Sequence, residues 1–264
     1  MDFSAIAATY DANGLVQKDS ARALFDLADI KPGEDVLDVG CGPGFLTRLA
    51  KEKSGGRVVG VDPSPGMIEE ARKNLAGSGV TWVLKSAEGL DYREEFDVVL
   101  CNSAFQWVVD ADKAASGFYA ALRPGGRVAM QSPAKKVFCP AIIRAVREVE
   151  KHPETSATYA AFKNPWLFLE TVQAYQGLFE NAGFNVAFCR IAQDTRRSTP
   201  EEALQVFASG AAMAYLNQDC YSREFYGSYV EKFWDIIRKS FESQAEADGL
   251  IGLSFNRVYL VAVK

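Results

Sequence analysis

The sequence predicts an α/β fold: a doubly wound, mostly parallel sheet of seven strands with helices on both faces. Three observations carry that expectation. Short apolar runs rich in Val, Ile and Leu recur with helical patterns between them, as strands joined by crossover helices would. The first run, Val36-Leu37-Asp38-Val39, passes directly into the glycine turn Gly40-Cys41-Gly42-Pro43-Gly44. The second, Arg57-Val58-Val59-Gly60-Val61, ends on Asp62, close to the ~20-residue offset at which an acid takes ribose hydroxyls in such folds.

In chain order, a helix over 15–29 precedes the first strand, 35–39, and the glycine turn opens a helix over 44–53. Strands follow at 57–61 and 80–84, with a helix over 65–76 between them. Phe96–Cys101 reads as the fourth strand and 126–131 as the fifth. The helix over 110–122 between those two is stopped by Pro124-Gly125-Gly126. A helix over 168–182, a sixth strand at Asn185–Ile191 and a seventh at Ser254–Val263 complete the sheet. Two stretches, 133–167 and 198–250, have no counterpart in the minimal fold. They are expected to be helical insertions forming a lid over the carboxyl ends of the strands, with residues 1–30 as a helical cover. The second insertion reads as two helices, with Tyr226, Val230, Phe233, Trp234, Ile237 and Phe241 forming an apolar stripe suited to packing. The 264 residues, 48% of them hydrophobic, are expected to form a single domain around one large core.

The turn at 40–44 specifies chemistry as well as shape. Glycines at 40 and 42 are expected to leave room for a ligand against backbone N–H groups, where a Cβ would collide with it. Two details separate this loop from the dinucleotide fingerprint. Phe45 stands where G-x-G-x-x-G needs its third glycine, and Asp38 would be a poor neighbour for a pyrophosphate. A carboxylate at Asp62 can accept two hydrogen bonds from a vicinal diol, which points to a ribose without saying what is attached to it.

Composition narrows the function classes. A net charge of −5 without a basic block offers no general attraction to nucleic acid. No apolar run approaches the ~20 residues of a membrane span, and Met1-Asp2-Phe3-Ser4 does not begin a signal sequence, so a cytoplasmic protein is expected. Five cysteines without C-x-x-C spacing are expected to be reduced thiols. With a single histidine, His152, no metal site is expected.

The ordered segments VLDVGCGPGFLTRLA, VVGVDPSPGMIEEAR, KSAEGL, FDVVLCNSAFQWV and LRPGGRVAM resemble the motifs of class I S-adenosylmethionine-dependent methyltransferases over roughly residues 35–132. The resemblance implies a Rossmann-like methyltransferase fold with S-adenosyl-L-methionine as cofactor. It implies that Asp38 and Gly40 hold the methionine ammonium and that Asp62 binds the ribose. Pro63 and Met67 would flank the adenine, and Ala87 would offer it a backbone N–H. The turn at Asn102 would close the methionine side. Cys41, Gly42, Gly44, Glu88, Ser103 and Gln106 join the same implied set. Ser86 stands where the family often has Asp, and its hydroxyl can still accept from the adenine amine. Phe3–Asp11 and Gln17 resemble the segment before the first strand in malonyl-acyl-carrier-protein O-methyltransferases, which implies Tyr10 near the sulfonium and Gln17 near the methionine carboxylate. Asn102–Trp107 resembles both that group and the trans-aconitate methyltransferases, and 248–261 resembles the latter.

Both groups methylate a carboxylate, and chemistry favours the same acceptor. A carboxylate is ionised near pH 7 and needs no general base, whereas an alcohol or phenol does. The chain offers no clear base: His152 sits in the polar turn Lys151-His152-Pro153-Glu154. The expected function is methyl transfer to a small molecule or a carrier-bound acyl group, with Tyr10, Gln106, Trp107 and Arg257 as substrate-positioning candidates. Arg190 and Arg196-Arg197 are further cationic candidates. Lys135-Lys136, Arg144, Arg147 and Lys151 could dock an acidic carrier protein or simply face solvent. Three alternatives stay open: another nucleophile (N, S, C or hydroxyl), a cofactor-binding protein without turnover, and an NAD-dependent oxidoreductase.

Overall fold

The computed structural model describes Phe3, Ser4, Ala7 and residues 15–264, with the backbone alone for 15–20. Seven strands form one sheet in the order β3-β2-β1-β4-β5-β7-β6. Their ranges are β1 Val36–Val39, β2 Val58–Asp62, β3 Thr81–Leu84, β4 Phe96–Asn102, β5 Leu122–Pro133, β6 Asn185–Ser198 and β7 Ile251–Val263. β1 pairs in parallel with β2 and β4, β2 with β3, and β4 with β5, while β7 runs antiparallel to β5. The strand order reverses between β1 and β4, the position where ligands bind in open α/β sheets.

The central strands are buried on both faces, as their unbroken Val and Leu content requires. One apolar layer joins Leu37, Val59, Val99 and Val128 to Phe105, Phe118 and Phe179; the other joins Val36, Val58, Val98 and Leu100 to Leu24, Ala28 and Leu46. The helices covering the sheet are α1 Leu15–Ala28, α2 Phe45–Ser54, α3 Pro65–Asn74, α4 Ala111–Ala121 and, further on, α7 Val172–Asn181. Caps set their starts: Asp110 accepts from Lys113 N at α4, and Thr171 accepts from Ala174 N at α7.

Three boundaries differ from the sequence expectation. α7 starts at 172 instead of 168, because Leu167 N donates to Gln106 O and Lys135 N to Leu169 O, which keeps 167–170 extended. β5 starts at Leu122, inside the expected helix end. Leu122 pairs with Phe96 across a register shift, so Pro124-Gly125-Gly126 lies within an irregular strand. Asp97 holds the opposite end of the sheet from the glycine turn, accepting from Asp35 N at 2.8 Å and from Arg123 at 2.8 Å.

The chain, expected to be one domain, divides into two compact units. The first is Met1–Lys136, Trp166–Ala192 and Arg257–Lys264; the second is Val137–Pro165 and Gln193–Asn256. The expected insertions therefore fall mostly in one body of their own. That body is built from α5 Pro140–Lys151, α6 Ser156–Tyr159, α8 Pro200–Ala208, α9 Ala212–Tyr215 and α10 Tyr229–Ser243. The apolar stripe on α10 is partly as expected. Phe233, Ile237 and Phe241 are buried and Trp234 meets Phe207 edge-on, but Tyr226 precedes the helix and is exposed, and Tyr229 takes the buried place. Among the described residues, no helix is long and apolar enough to cross a membrane.

Candidate functional site

A cavity of about 550 Å³ lies at the carboxyl ends of β1, β2 and β4. Its size suits a nucleotide-sized ligand. The glycine turn forms one wall. Gly40 N and Cys41 N both donate to Val61 O, at 2.8 and 3.0 Å, which ties the turn to the end of β2. At Gly40 the reason for glycine differs from the expectation. Its φ is +72°, and a Cβ there would meet Ala104 Cβ at 2.2 Å, so the loop after β4, not a ligand, excludes a side chain. At Gly42, also left-handed at +53°, a Cβ would meet nothing within 4 Å. Gly42 lines the cavity, so the room a side chain would take is ligand space. Gly44 does not line the cavity; Leu75 and Trp82 fill the space beside it.

Two carboxylates give the cavity its electrostatic character. Asp38 is 1% exposed and accepts from Thr47 Oγ1 at 2.6 Å. Burial pushes its carboxyl up to about 7; the Thr47 hydroxyl opposes that shift and the Asp62 charge adds to it. Asp62 accepts from Gly42 N at 3.0 Å and from Ser64 N at 2.9 Å, and these two donors fix the plane of its carboxylate. A pocket with two buried acids gains from a cation placed between them.

Pro63, Met67, Ser86, Ala87 and Glu88 line the same cavity, with Met67 3% exposed. Glu88 Oε1 accepts from Val109 N at 2.8 Å, so its carboxylate also braces the loop that enters α4. Burial alone would raise the Glu88 carboxyl, but backbone N–H donors with the Ser86 hydroxyl hold it below its ordinary value. Ser64, the N-cap of α3, accepts from Phe3 N at 3.2 Å, and Ser4 Oγ accepts from Gly66 N at 2.8 Å. Phe3 lines the cavity and meets Trp107 edge-on at 5.2 Å. The far wall is Cys101, Asn102, Ser103, Ala104 and Trp107, with Asp110 and Lys113 beyond.

Several expected site residues are placed elsewhere. Gln106 is buried but does not line the cavity. Its Nε2 donates to Ser103 O at 2.9 Å and its Oε1 accepts from Ser132 Oγ at 3.2 Å, so it braces the loop. Arg257 is 4% exposed and does not line the cavity either; it meets the Gln131 amide at 3.0 Å. Arg197 pairs with Asp248 and Glu246, and Arg190 lies 5.9 Å from the Phe188 ring. His152 Nδ1 accepts from Glu154 N at 3.2 Å and closes its own turn. Tyr10 and the side chain of Gln17 lie outside the described residues. Sequence reasoning missed Thr47, Asp110, Lys113 and Gln131. Nothing in the local pattern marks a threonine nine residues after Asp38 as its partner.

The family model described as methyltransferase domain matches residues 36–126, the span from β1 into β5. The chain is 36% identical over 135 residues to a malonyl-[acyl-carrier protein] O-methyltransferase of Acetivibrio thermocellus, covering 50% of this chain and 48% of that protein. It is 31% identical over 211 residues to the aklanonic acid methyltransferase DauC of a Streptomyces species, covering 74% of this chain and 93% of that protein. The chain thus spans about half the length of the malonyl-acyl-carrier relatives and nearly all of DauC. The crystal structure of the YcgJ protein of Bacillus subtilis shares the fold, with a TM-score of 0.61 at 13% identity over 94% of this chain and 98% of that one.

Proposed function

The chain belongs to the class I S-adenosylmethionine-dependent methyltransferases, and we propose on that premise that it methylates a carboxylate of a small molecule or a carrier-bound acyl group. The observation that carries the reading is the pair of buried acids, Asp38 and Asp62, in one cavity at the point where strand order reverses. The donor set fits the cofactor. Asp38, pushed to about 7 for want of a cation, suits an ammonium, and an ammonium would keep it ionised at neutral pH. Asp62, with its plane fixed, suits a ribose diol. Pro63 and Met67 suit the faces of an adenine, and Ser86 and the Ala87 N–H its edge. Cys41 and Gly42 leave the turn clear beside the ligand.

S-adenosylmethionine, when bound, supplies a methyl on a sulfonium and so needs no activation by the chain. The work left to the residues is to hold both partners in line and to exclude water. Trp107 and Phe3 supply apolar wall for the second task. Tyr10 and Gln17, on the 1–30 cover, are proposed to contribute at the methionine end. A carboxylate acceptor is favoured because no residue of the cavity wall is a ready general base: Asp38 and Asp62 are engaged with the cofactor in this reading, and Glu88 braces the α4 loop.

The malonyl-acyl-carrier relatives raise the prospect of a carrier protein as partner. Arg144, Arg147 and Lys151 stand exposed on one face of α5, whose opposite face buries Ile142, Ala145, Val146 and Val149. Among the described residues none of the three cations forms an ion pair, so the face is available to an acidic carrier. Acceptor choice we assign to 133–167 and 198–250. Exchanging these for a relative's should change the acceptor and leave cofactor affinity alone.

The test is calorimetry with S-adenosylhomocysteine and with NAD, followed by radiolabel transfer from S-adenosylmethionine to a panel of acids and acyl carriers. Binding of the first ligand with transfer to an acid is expected. NAD binding would favour an oxidoreductase, and a bound but inert protein would favour a cofactor-binding role without turnover.

A further inference from the structure

The loop after β4 is held from behind by a buried amide. Gln131 on β5 is fully buried. Its side-chain amide lies 2.9 Å from Ser103 Oγ, 2.9 Å from Asn102 Oδ1, 3.0 Å from the Arg257 guanidinium and 3.2 Å from Ser132 N. Two of these four neighbours have a single polarity: a guanidinium and a backbone N–H donate and never accept. The amide oxygen of Gln131 therefore faces Arg257 and Ser132, and its NH₂ faces Asn102 and Ser103.

That orientation dictates what the next two residues can offer. Asn102 turns its Oδ1 to Gln131, so its own NH₂ is directed elsewhere. Ser103 Oγ accepts from Gln131, so its hydroxyl proton is directed elsewhere too. Both residues are half-buried and both line the cavity. Ser103 is held there at φ +51°, with its N–H on Gln131 O at 2.9 Å, an unfavourable backbone conformation for serine that the surrounding bonds enforce. The cavity thus has two electrostatic halves: acids at Asp38 and Asp62, and a wall of neutral donors at Asn102 and Ser103.

We propose that Arg257 and Gln131 are positioning residues that force the Asn102–Ser103 wall to present hydrogen-bond donors, making it a subsite for a carboxylate oxygen. The inference rests on the methyltransferase reading and deepens it. Neither positioning residue touches the ligand; each acts through the amide orientation it imposes. The carboxylate could belong to the amino-acid end of the cofactor or to the acceptor, and the wall would serve either by the same chemistry.

The deciding variant is Gln131→Glu. It keeps the shape and pairs with Arg257, but both its oxygens accept. Asn102 and Ser103 must then donate backwards and turn acceptors to the cavity. Asn102→Asp puts an acceptor on the same wall without touching the buried pair, and it stands in if the first variant does not fold. Calorimetry should follow three ligands: S-adenosylhomocysteine, its decarboxylated analogue, and 5′-methylthioadenosine, which lacks the amino-acid end. The parent should prefer S-adenosylhomocysteine over the decarboxylated analogue by at least about tenfold, the scale of a hydrogen bond to a charged group. In the variants that preference should fall below about twofold, with 5′-methylthioadenosine affinity nearly unchanged. If the preference persists but millimolar malonate no longer raises the melting temperature of the S-adenosylhomocysteine complex, the guest is the acceptor's carboxylate and the proposal stands. If neither readout moves, or if 5′-methylthioadenosine binding is lost along with the rest, the polarity argument is wrong. A parent protein that binds neither nucleoside would instead refute the methyltransferase reading beneath it.

Discussion

Replacing Asp38 with Asn should make the protein more stable and less able to bind its ligand. In the fold Asp38 is buried, and its carboxyl is pushed from 3.8 to about 7. At about 1.36 kcal/mol per pH unit, the ionised form costs the free protein about 4 kcal/mol. The sign follows from linkage. A carboxyl whose folded value is raised leaves stability untouched below its unfolded value near 3.8. It destabilises progressively from there to about 7, and by the full amount above. Asparagine keeps the Thr47 hydrogen bond and carries no charge, but its new N–H pair must find water in the cavity, which takes back about 1–2 kcal/mol. A net gain of about 2 kcal/mol at pH 8 corresponds to a melting temperature higher by roughly 4–8 °C. The assay is thermal melting of parent and variant, without ligand, from pH 4 to pH 8, alongside S-adenosylhomocysteine titration. The gain should be absent near pH 4 and full by pH 8, while affinity drops at least about tenfold. A variant no more stable at pH 8, or equally stabilised at pH 4 and 8, would refute the burial argument. Such a trade, stability given up to keep a charge where a ligand needs it, is common at functional sites.

Other outcomes follow from the same geometry. S-adenosylhomocysteine affinity should rise with pH up to about 7 and level off above, because the ligand's ammonium binds the ionised form of Asp38; calorimetry across pH 5.5–8.5 checks this, and a flat profile would remove Asp38 from the ligand. Thr47→Val deletes a bond that lowers the Asp38 carboxyl, so the midpoint of that profile should move up by roughly one pH unit. Asp62→Asn should weaken S-adenosylhomocysteine binding by about 1.5–3 kcal/mol, and unchanged affinity would reject the ribose assignment. Gly42→Ala should fold, since its Cβ meets nothing, yet weaken binding markedly by filling ligand space; unaltered binding would move the ligand away from the turn. Reversing Arg144, Arg147 and Lys151 to Glu should raise KM for a carrier-bound acyl substrate and spare a small thioester, with steady-state kinetics at two salt concentrations as the check.

Much of the fold was legible before any coordinates. Seven strands, their approximate places and the glycine turn follow from contiguous patterns: apolar runs of strand length, helical spacing between them, and Gly where the backbone turns back. The errors lie where a distant partner overrides the local pattern. Residues 167–170 continue an apolar helical rhythm but stay extended because Gln106 and Lys135 take their backbone groups. Pro124-Gly125-Gly126 looks like a plain helix stop, but the pairing of Leu122 with Phe96 draws it into an irregular strand. Tyr226 continues the spacing of the α10 stripe, yet the helix starts after it.

At the site the division is sharper. The sequence alone determined that a nucleoside-sized ligand should lie on a glycine turn between Asp38 and Asp62, because that turn, its strand and its acid are local in the chain. Only the tertiary structure decided that Gly40 is a glycine because of Ala104, that Thr47 caps Asp38, and that Gln106 and Arg257 brace the wall rather than form it. It also set the amide of Gln131 between Ser103 and Arg257, residues far apart in the chain. Hydrogen-bond polarity and burial depend on which groups meet in space, and a one-dimensional pattern carries the identity of those groups without their neighbours.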